Sequence, residues 1–271
     1  MIVDAHIHIS DRPTGVWKHP PFTAEQLIGL MDGPFIINGR QRRVEKAVVQ
    51  PQPAETMFNP DLLDQHRYIS KVISDYPERL VGCMTANPHL GVDKALVALE
   101  ELVSNQGFRS VKLHPTTHAY LPPKCMDMLV PIVEAAGKHH VPVIIHTGDP
   151  PFALPVLMVP LAEACPGTQI ILAHMGTQKV CYADEAIYVA RKNENVFLET
   201  GWTPLPRIKE AYQAVGAERL LLASDCPIQE IGSQIRVIEV LAWPPPIGLG
   251  ISEDEVEKIL GGNAVKLFRL E

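Results

Sequence analysis

The chain has 271 residues, 46% of them hydrophobic and 20% charged, with a net charge of −7 at neutral pH. That profile belongs to a globular protein with a sizeable core. Its acidic balance, with no basic run longer than Arg40-Gln41-Arg42-Arg43, argues against nucleic acid and anionic membrane as partners. Five scattered cysteines, none in a Cys-x-x-Cys pair, suit a reducing cytoplasm and offer no disulfide framework or thiolate zinc knuckle. The first strand-like run begins at Ile2, so no signal peptide is expected. The longest apolar stretch, residues 152–162, is too short to cross a bilayer and holds two prolines.

Strand-like runs recur at residues 2–9, 46–50, 80–85, 110–114, 142–146, 169–174, 196–200 and 220–225. Between them, residues 60–76, 92–105, 125–139 and 184–193 place apolar side chains at helical spacing. Strands alternating with helices about every 30 residues predict right-handed βαβ units and a parallel sheet. Eight units over this length predict a single (β/α)8 TIM barrel spanning residues 1–271, with room for slight distortion and a C-terminal helical tail. The rival is an open doubly wound sheet, which usually carries a glycine-rich turn after its first strand; here that turn carries histidines.

Two segments read as additions to the barrel. Residues 33–43 suggest a short hairpin or loop, and Pro244-Pro245-Pro246 within residues 243–249 predicts a stiff extended linker. Ser252 and Glu255 then form a capping box for the last helix. Gly261-Gly262 reads as a break before residues 263–270, a tail better suited to closing the barrel than to an oligomer contact. Homo-oligomerisation stays open.

In a barrel of this kind, active sites form where strands end and βα loops begin. His6 and His8 end the first strand. Alternate strand residues share a face, so Asp4, His6 and His8 should point one way and Ile7 and Ile9 the other. A lone His-x-His is more often chance or two core histidines. Later strands change the odds. Lys112 and His114 end the fourth strand, His146 the fifth, His174 the sixth and Asp225 the eighth. Imidazole nitrogen and carboxylate oxygen are the donors that a zinc-like ion takes, and a catalytic site keeps a position open for water. Such water loses a proton near pH ~7. On this reading His6, His8, His146 and Asp225 are the ligands, and His174 is a base or a further ligand. Asp225 also orients the water and carries its proton to a leaving group.

Lys112 has three readings: a grip on a substrate carboxylate, a carbamylated bridge between two metals, or a lysine snorkelling to the barrel mouth. His114, next to Pro115, reads as a group that touches substrate or one that supports those that do. Asp4 is expected to make a structural hydrogen bond. Glu199 ends the seventh strand and is expected to be out of phase with the metal. His118, Tyr120 and Trp202, like Trp17, Lys18 and His19, lie in βα loops, where ordinary loop residues are the simpler reading. Cys226 reads as a small core residue.

Taken in order, these motifs resemble the amidohydrolase superfamily. They are Val3-Asp4-Ala5-His6-Ile7-His8, the single histidines ending the fifth and sixth strands, Asp225, and Gly262-Asn263-Ala264-Val265-Lys266-Leu267-Phe268. The closer resemblance is to the amidohydrolase-2 branch, related to aminocarboxymuconate semialdehyde decarboxylase, and it runs nearly the full chain. It implies a (β/α)8 barrel with one divalent metal held by His6, His8, His146 and Asp225, and water activated by His174. It leaves the reaction open, because hydrolases and non-oxidative decarboxylases share the scaffold. The leading expectation is a cytoplasmic metal-dependent hydrolase of a small carboxylate-bearing ester, lactone or amide, with one Zn2+, or Mn2+ or Fe2+ in its place. The alternative is a non-oxidative decarboxylase of a small aromatic or unsaturated acid. No arginine stands at a strand end to hold a second carboxylate for that reaction, which leaves the task to Lys112. A non-enzymatic barrel with a structural metal is disfavoured by the presence of both ligands and a base.

Overall fold

The computed structural model describes residues 1–14, 20–57, 59–177 and 181–270. Trp17, Lys18 and His19 lie outside the described residues. The strands are β1 (Val3–Ile9), β2 (Phe35–Ile37), β3 (Arg40–Arg42), β4 (Lys46–Pro51), β5 (Leu80–Ala86), β6 (Ser110–Leu113), β7 (Val143–His146), β8 (Ile170–Ala173), β9 (Val196–Glu199) and β10 (Leu220–Leu221). The short pair β2–β3 is an antiparallel hairpin. The other eight form one sheet in the order β1-β4-β5-β6-β7-β8-β9-β10, with neighbouring strands parallel.

The helices are α1 (Ala24–Met31), α2 (Leu62–Asp75), α3 (Val92–Glu100), α4 (Met126–Lys138), α5 (Val159–Ala164), α6 (Ala183–Lys192), α7 (Leu205–Val215), α8 (Ile231–Val240), α9 (Glu253–Glu257) and α10 (Asn263–Phe268). Among the described residues no helix is long and apolar enough to cross a membrane.

The sheet closes on itself past the end of β10. Ala5 N–H donates to Leu222 O at 3.0 Å, Asp225 N–H to His6 O at 2.9 Å and His8 N–H to Cys226 O at 2.9 Å. The result is a (β/α)8 TIM barrel. Strand alternation sorts the core into two shells. Val3, Ala5, Val48, Cys83, Ile144, Ile171, Phe197 and Leu221 fill the barrel. Val49, Val111, Ile145, Leu172 and Leu198 pack outward under the helices.

The C-terminal segment closes the floor. Ser252 and Glu255 make the expected capping box. Gly261-Gly262, however, does not break the helix: a π turn over Lys258–Gly262 runs straight into α10. A Cβ at Gly261 would collide with Met1 O, so glycine is needed for close approach to the start of β1. Ala264, Phe268 and Leu270 then join the inner shell. Residues 243–249 also depart from expectation. They fold back in place of extending, because the last carbonyls of α8 need donors. Leu249 N–H donates to Leu241 O at 2.9 Å and Gly250 N–H to Trp243 O at 2.9 Å.

One buried histidine ties α2 to β5. His66 Nδ1–H donates to Leu62 O at 2.6 Å, and Nε2 accepts from Thr85 N–H at 2.7 Å. Only the neutral ring can do both. Burial, partly opposed by the Leu62 carbonyl, pushes its pKa down from 6.5 to about 4. The unfolded chain therefore binds this proton first, and stability falls as pH drops from 6.5 toward 4. The loss is about 2 kcal/mol at pH ~5. Chemical denaturation at pH ~7.5 and ~5 should show that the wild type loses more stability on acidification than His66→Gln, which keeps an acceptor for Thr85; equal losses would refute the assignment.

Candidate metal centre and active site

The site begins with an irregularity in β1. Its register against β4 shifts between Asp4 and Ile7. Val3 and Ala5 face the barrel, whereas Ile7 and Ile9 pack in the outer shell, so the alternation inverts and His6 and His8 turn inward. Asp4 therefore does not share their face, as simple alternation predicted. Its Oδ1 accepts from His6 N–H at 3.1 Å and Ser224 N–H at 3.0 Å, a structural clasp across the barrel seam. Opposite, His174 and Asp225 both adopt left-handed backbone, with φ of 63° each. Non-glycine residues in that region cost roughly 1–3 kcal/mol each. Here that conformation occurs at the two strand ends where side chains must re-aim.

His6 Nε2 and His8 Nε2 stand 3.2 Å apart, and Asp225 Oδ1 is 3.5 Å from the first and 3.4 Å from the second. The other nitrogen of each ring fixes its tautomer. His6 Nδ1–H donates to Glu199 Oε1 at 2.9 Å and His8 Nδ1–H to Pro51 O at 2.8 Å. The two Nε2 atoms are thus bare lone pairs, and Asp225 Oδ1 is buried with no hydrogen-bond partner among the described residues. Three acceptors facing one another repel; a divalent cation between them converts the repulsion into ligation. The donor set fits such an ion. Without it, the lone pairs are met by Lys112 Nζ, 3.1 Å from His6 Nε2, and Gln50 Nε2, 3.3 Å from His8 Nε2.

Two more imidazoles border this point. His174 offers a nitrogen within 4.8 Å of ligand atoms of His6 and Asp225. His146 lies one ring further, its centroid 5.0 Å from that of His174, and is not in that tight set. Proximity alone therefore favours His174 as a ligand. Tautomers favour the opposite assignment. His146 Nε2–H donates to Asp149 Oδ2 at 3.0 Å, the outer hydrogen bond typical of a metal-bound histidine, and its Nδ1 keeps a lone pair. His174 Nδ1 has no hydrogen-bond partner among the described residues; Glu199 Oε1 is 3.4 Å away and off the hydrogen-bond line. A ring whose proton is not locked suits proton transfer better than ligation.

His114 is sorted the same way. Its Nδ1 accepts from Thr117 N–H at 3.2 Å, so its proton is on Nε2 and it can donate to a substrate oxygen but not ligate. It stacks on His146 with centroids 3.8 Å apart. Lys112 is 1% exposed, which removes the snorkelling reading.

Burial dominates the electrostatics. It holds His6 and His114 well below the usual imidazole range, lowers His146, and pushes His174 down to about 3. Burial also lowers Lys112 to about 8, against the pull of Asp225 and Glu199. Asp225 is held below the usual carboxylate range: burial works against the charged form, and positive charge on His174, His6 and His8, which a divalent cation would supply in place of their protons, outweighs it.

Three residues read as peripheral, or not singled out at all, belong to the site. Glu199 is in phase with the metal centre: it follows Phe197 of the inner shell by two, its Oε1 holds His6, and its Oε2 accepts from Gly201 N–H at 2.6 Å. Trp202, taken as a loop residue, donates from Nε1 to Asp225 Oδ2 at 2.7 Å. Gln50 ends β4 facing His8.

The amidohydrolase family model matches residues 3–270, and the chain belongs to that family. No curated protein matches the chain. Solved structures share its fold at low identity. A dihydroxybenzoic acid decarboxylase from Polaromonas sp. JS666, with bound manganese and 2-nitroresorcinol, aligns at TM-score 0.73 and 18% identity, over 99% of this chain and 97% of its own. The 5-carboxyvanillate decarboxylase of Sphingomonas paucimobilis aligns at TM-score 0.73 and 16% identity, over 100% and 99%. An uncharacterised TIM-barrel protein from Bordetella bronchiseptica aligns at TM-score 0.74 and 18% identity, over 99% and 98%.

Two predictions follow from the tautomers. His6→Ala or His146→Ala should lose bound metal by elemental analysis, while His174→Asn keeps it and loses turnover by ~10²–10⁴-fold. If His174→Asn empties the site and His146→Ala does not, the two roles exchange. Glu199→Gln should weaken metal binding by ~10–100-fold in a competition titration, since the outer carboxylate sets the His6 tautomer. Unchanged affinity would reduce Glu199 to a packing residue.

Proposed function

We propose that this chain is a divalent-metal-dependent carboxy-lyase that removes the carboxyl group of a small aromatic or unsaturated acid as carbon dioxide. Lys112 carries the reading. With no arginine at a strand end, the decarboxylase alternative leaves the second acidic group to Lys112, whose Nζ stands 3.1 Å from Nε2 of His6, inside the barrel. Among the described residues no carboxylate hydrogen-bonds to it. The names of two solved structures with the same fold, decarboxylases of dihydroxybenzoic acid and of 5-carboxyvanillate, point the same way.

His6, His8, His146 and Asp225 would hold the ion, Mn2+ or Zn2+, which supplies a Lewis acid for the substrate's oxygens. Lys112 neutralises the acid's second anionic group, and His114 Nε2–H donates to a substrate oxygen. Asp225 takes the proton of a substrate hydroxyl and returns it to the ring carbon as the bond to carbon dioxide breaks. Trp202 donates to the far oxygen of Asp225, so Oδ1 stays aimed at the point where the ion and the substrate hydroxyl would meet.

One observation favours hydrolysis of an ester, lactone or amide as a second reading: His174 stands beside Asp225 with Glu199 behind it, the layout of a water-activating base.

Incubating the metal-loaded protein with aromatic acids, lactones and amides, and scoring carbon dioxide apart from acid release, separates the two. Carbon dioxide from an aromatic acid is expected, with kcat/KM falling about 10²-fold in Lys112→Met while one metal equivalent stays bound. Acid without carbon dioxide would establish the hydrolase. Two metal equivalents falling to one in the Lys112 variant would make Lys112 a carbamylated bridge and sink the mononuclear site.

A further inference from the structure

The loop after β6 carries a polar atom with no hydrogen-bond partner among the described residues. His118 N–H donates to His114 O at 3.0 Å, and Tyr120 N–H closes the same turn on Pro115 O at 3.1 Å. The His118 ring is 4% exposed. Thr56 Oγ1 gives its proton to Pro53 O at 2.8 Å, so toward His118 Nε2, 3.0 Å away, it can only accept. The His118 proton is therefore on Nε2, and Nδ1 is a buried lone pair with no hydrogen-bond partner among the described residues. Burial keeps the ring neutral, with a pKa pushed down to about 4. Two residues on, the Tyr120 hydroxyl is also buried and has no hydrogen-bond partner among the described residues.

Buried acceptors are rarely left empty, because each forfeits its hydration without return. The position of this one points to what fills it. The His118 ring meets His114 edge-on with centroids 6.4 Å apart, and His114 stacks on His146 at 3.8 Å. His118 thus extends the imidazole wall of the active site by one ring, away from the ion. The hydrogen bond that Nε2–H donates to Thr56 and the backbone bonds of the turn fix its orientation, so Nδ1 is left to accept from a proton donor.

We propose that His118 Nδ1 is a specificity-determining subsite that accepts a hydrogen bond from a hydroxyl on the substrate's ring, remote from the carboxyl group held at the ion. The proposal deepens the carboxy-lyase reading and rests on it for the word substrate. It does not need that reading for the hydrogen bond itself.

Two measurements on the metal-loaded full-length protein test it. The first is nitrogen-15 NMR of the histidine rings titrated with resorcinol, which brings hydroxyl donors and no carboxyl group. The unprotonated Nδ1 signal of His118, assigned by its absence in His118→Leu or, if that variant does not fold, in His118→Gln, should shift with resorcinol and not with 1,3-dimethoxybenzene. No shift at millimolar resorcinol overturns the proposal.

The second compares dissociation constants of hydroxybenzoates with those of the matching methoxybenzoates. The wild type should prefer the hydroxyl by about tenfold, and His118→Leu should bring the ratio near one. The same ratio in both proteins would mean that the nitrogen holds only water, and the subsite would fall. If benzoates do not bind while resorcinol still moves the signal, the carboxy-lyase reading fails and the subsite stands.

Discussion

Three lone pairs facing one another across 3.2–3.5 Å are the constraint on which the barrel mouth depends. Packed this closely in a buried pocket, His6, His8 and Asp225 repel one another unless donors or positive charge stand among them. Much of the surrounding chemistry serves that convergence. Glu199 and the Pro51 carbonyl remove the protons from the inward nitrogens by accepting them on the outward ones. Trp202 ties down the outer oxygen of Asp225. Lys112 and Gln50 direct their donors at the lone pairs left over. Binding energy for an ion is thus stored as mutual repulsion among residues that the barrel will not let separate.

The barrel enforces this at its seam. β1 meets the end of β10 through single backbone bonds rather than a full ladder, and the Asp4 carboxylate supplies one of the missing acceptors. The inverted alternation in β1 brings both histidines to the same side as Ala5. Left-handed backbone at Asp225 and at His174 turns those side chains inward past the point where regular strand geometry would carry them. Strain and irregularity concentrate where ligands must converge, while the floor of the barrel, plugged by Phe268 and Leu270, is regular apolar packing.

That division explains what could be read in the sequence. The eight strands, the closed order and the strand-end histidines were legible because apolar runs and scarce polar residues mark them directly. Glu199 was not, because Val196, Phe197 and Leu198 are all apolar and a four-residue strand without alternation gives no phase. The signal available was position: an acid at the last residue of a barrel strand. The facing of Asp4 was misjudged because a bulge leaves no mark in an alternating pattern. Trp202 looked like any loop aromatic, since its partner Asp225 lies 23 residues away. Gly261 read as a helix breaker because its real constraint, the Met1 carbonyl, is visible only in three dimensions.

The depth of the site bears on which reaction it suits. His6, His8, Lys112, His146, His174, Glu199 and Asp225 are all buried. In such surroundings a substrate carboxylate loses hydration that the protein replaces only with fixed dipoles and charges. Loss of carbon dioxide spreads that charge into the ring, so the transition state gives up less hydration than the ground state does. Hydrolysis consumes a water and generates a more localised charge, and it needs donors aimed at a developing oxyanion. The lone pairs here are acceptors, apart from Lys112 and His114, whose donors suit the oxygens of a bound acid. On the carboxy-lyase reading, the balance of donors and acceptors at this mouth, more than any single residue, serves a bound acid better than an attacking water.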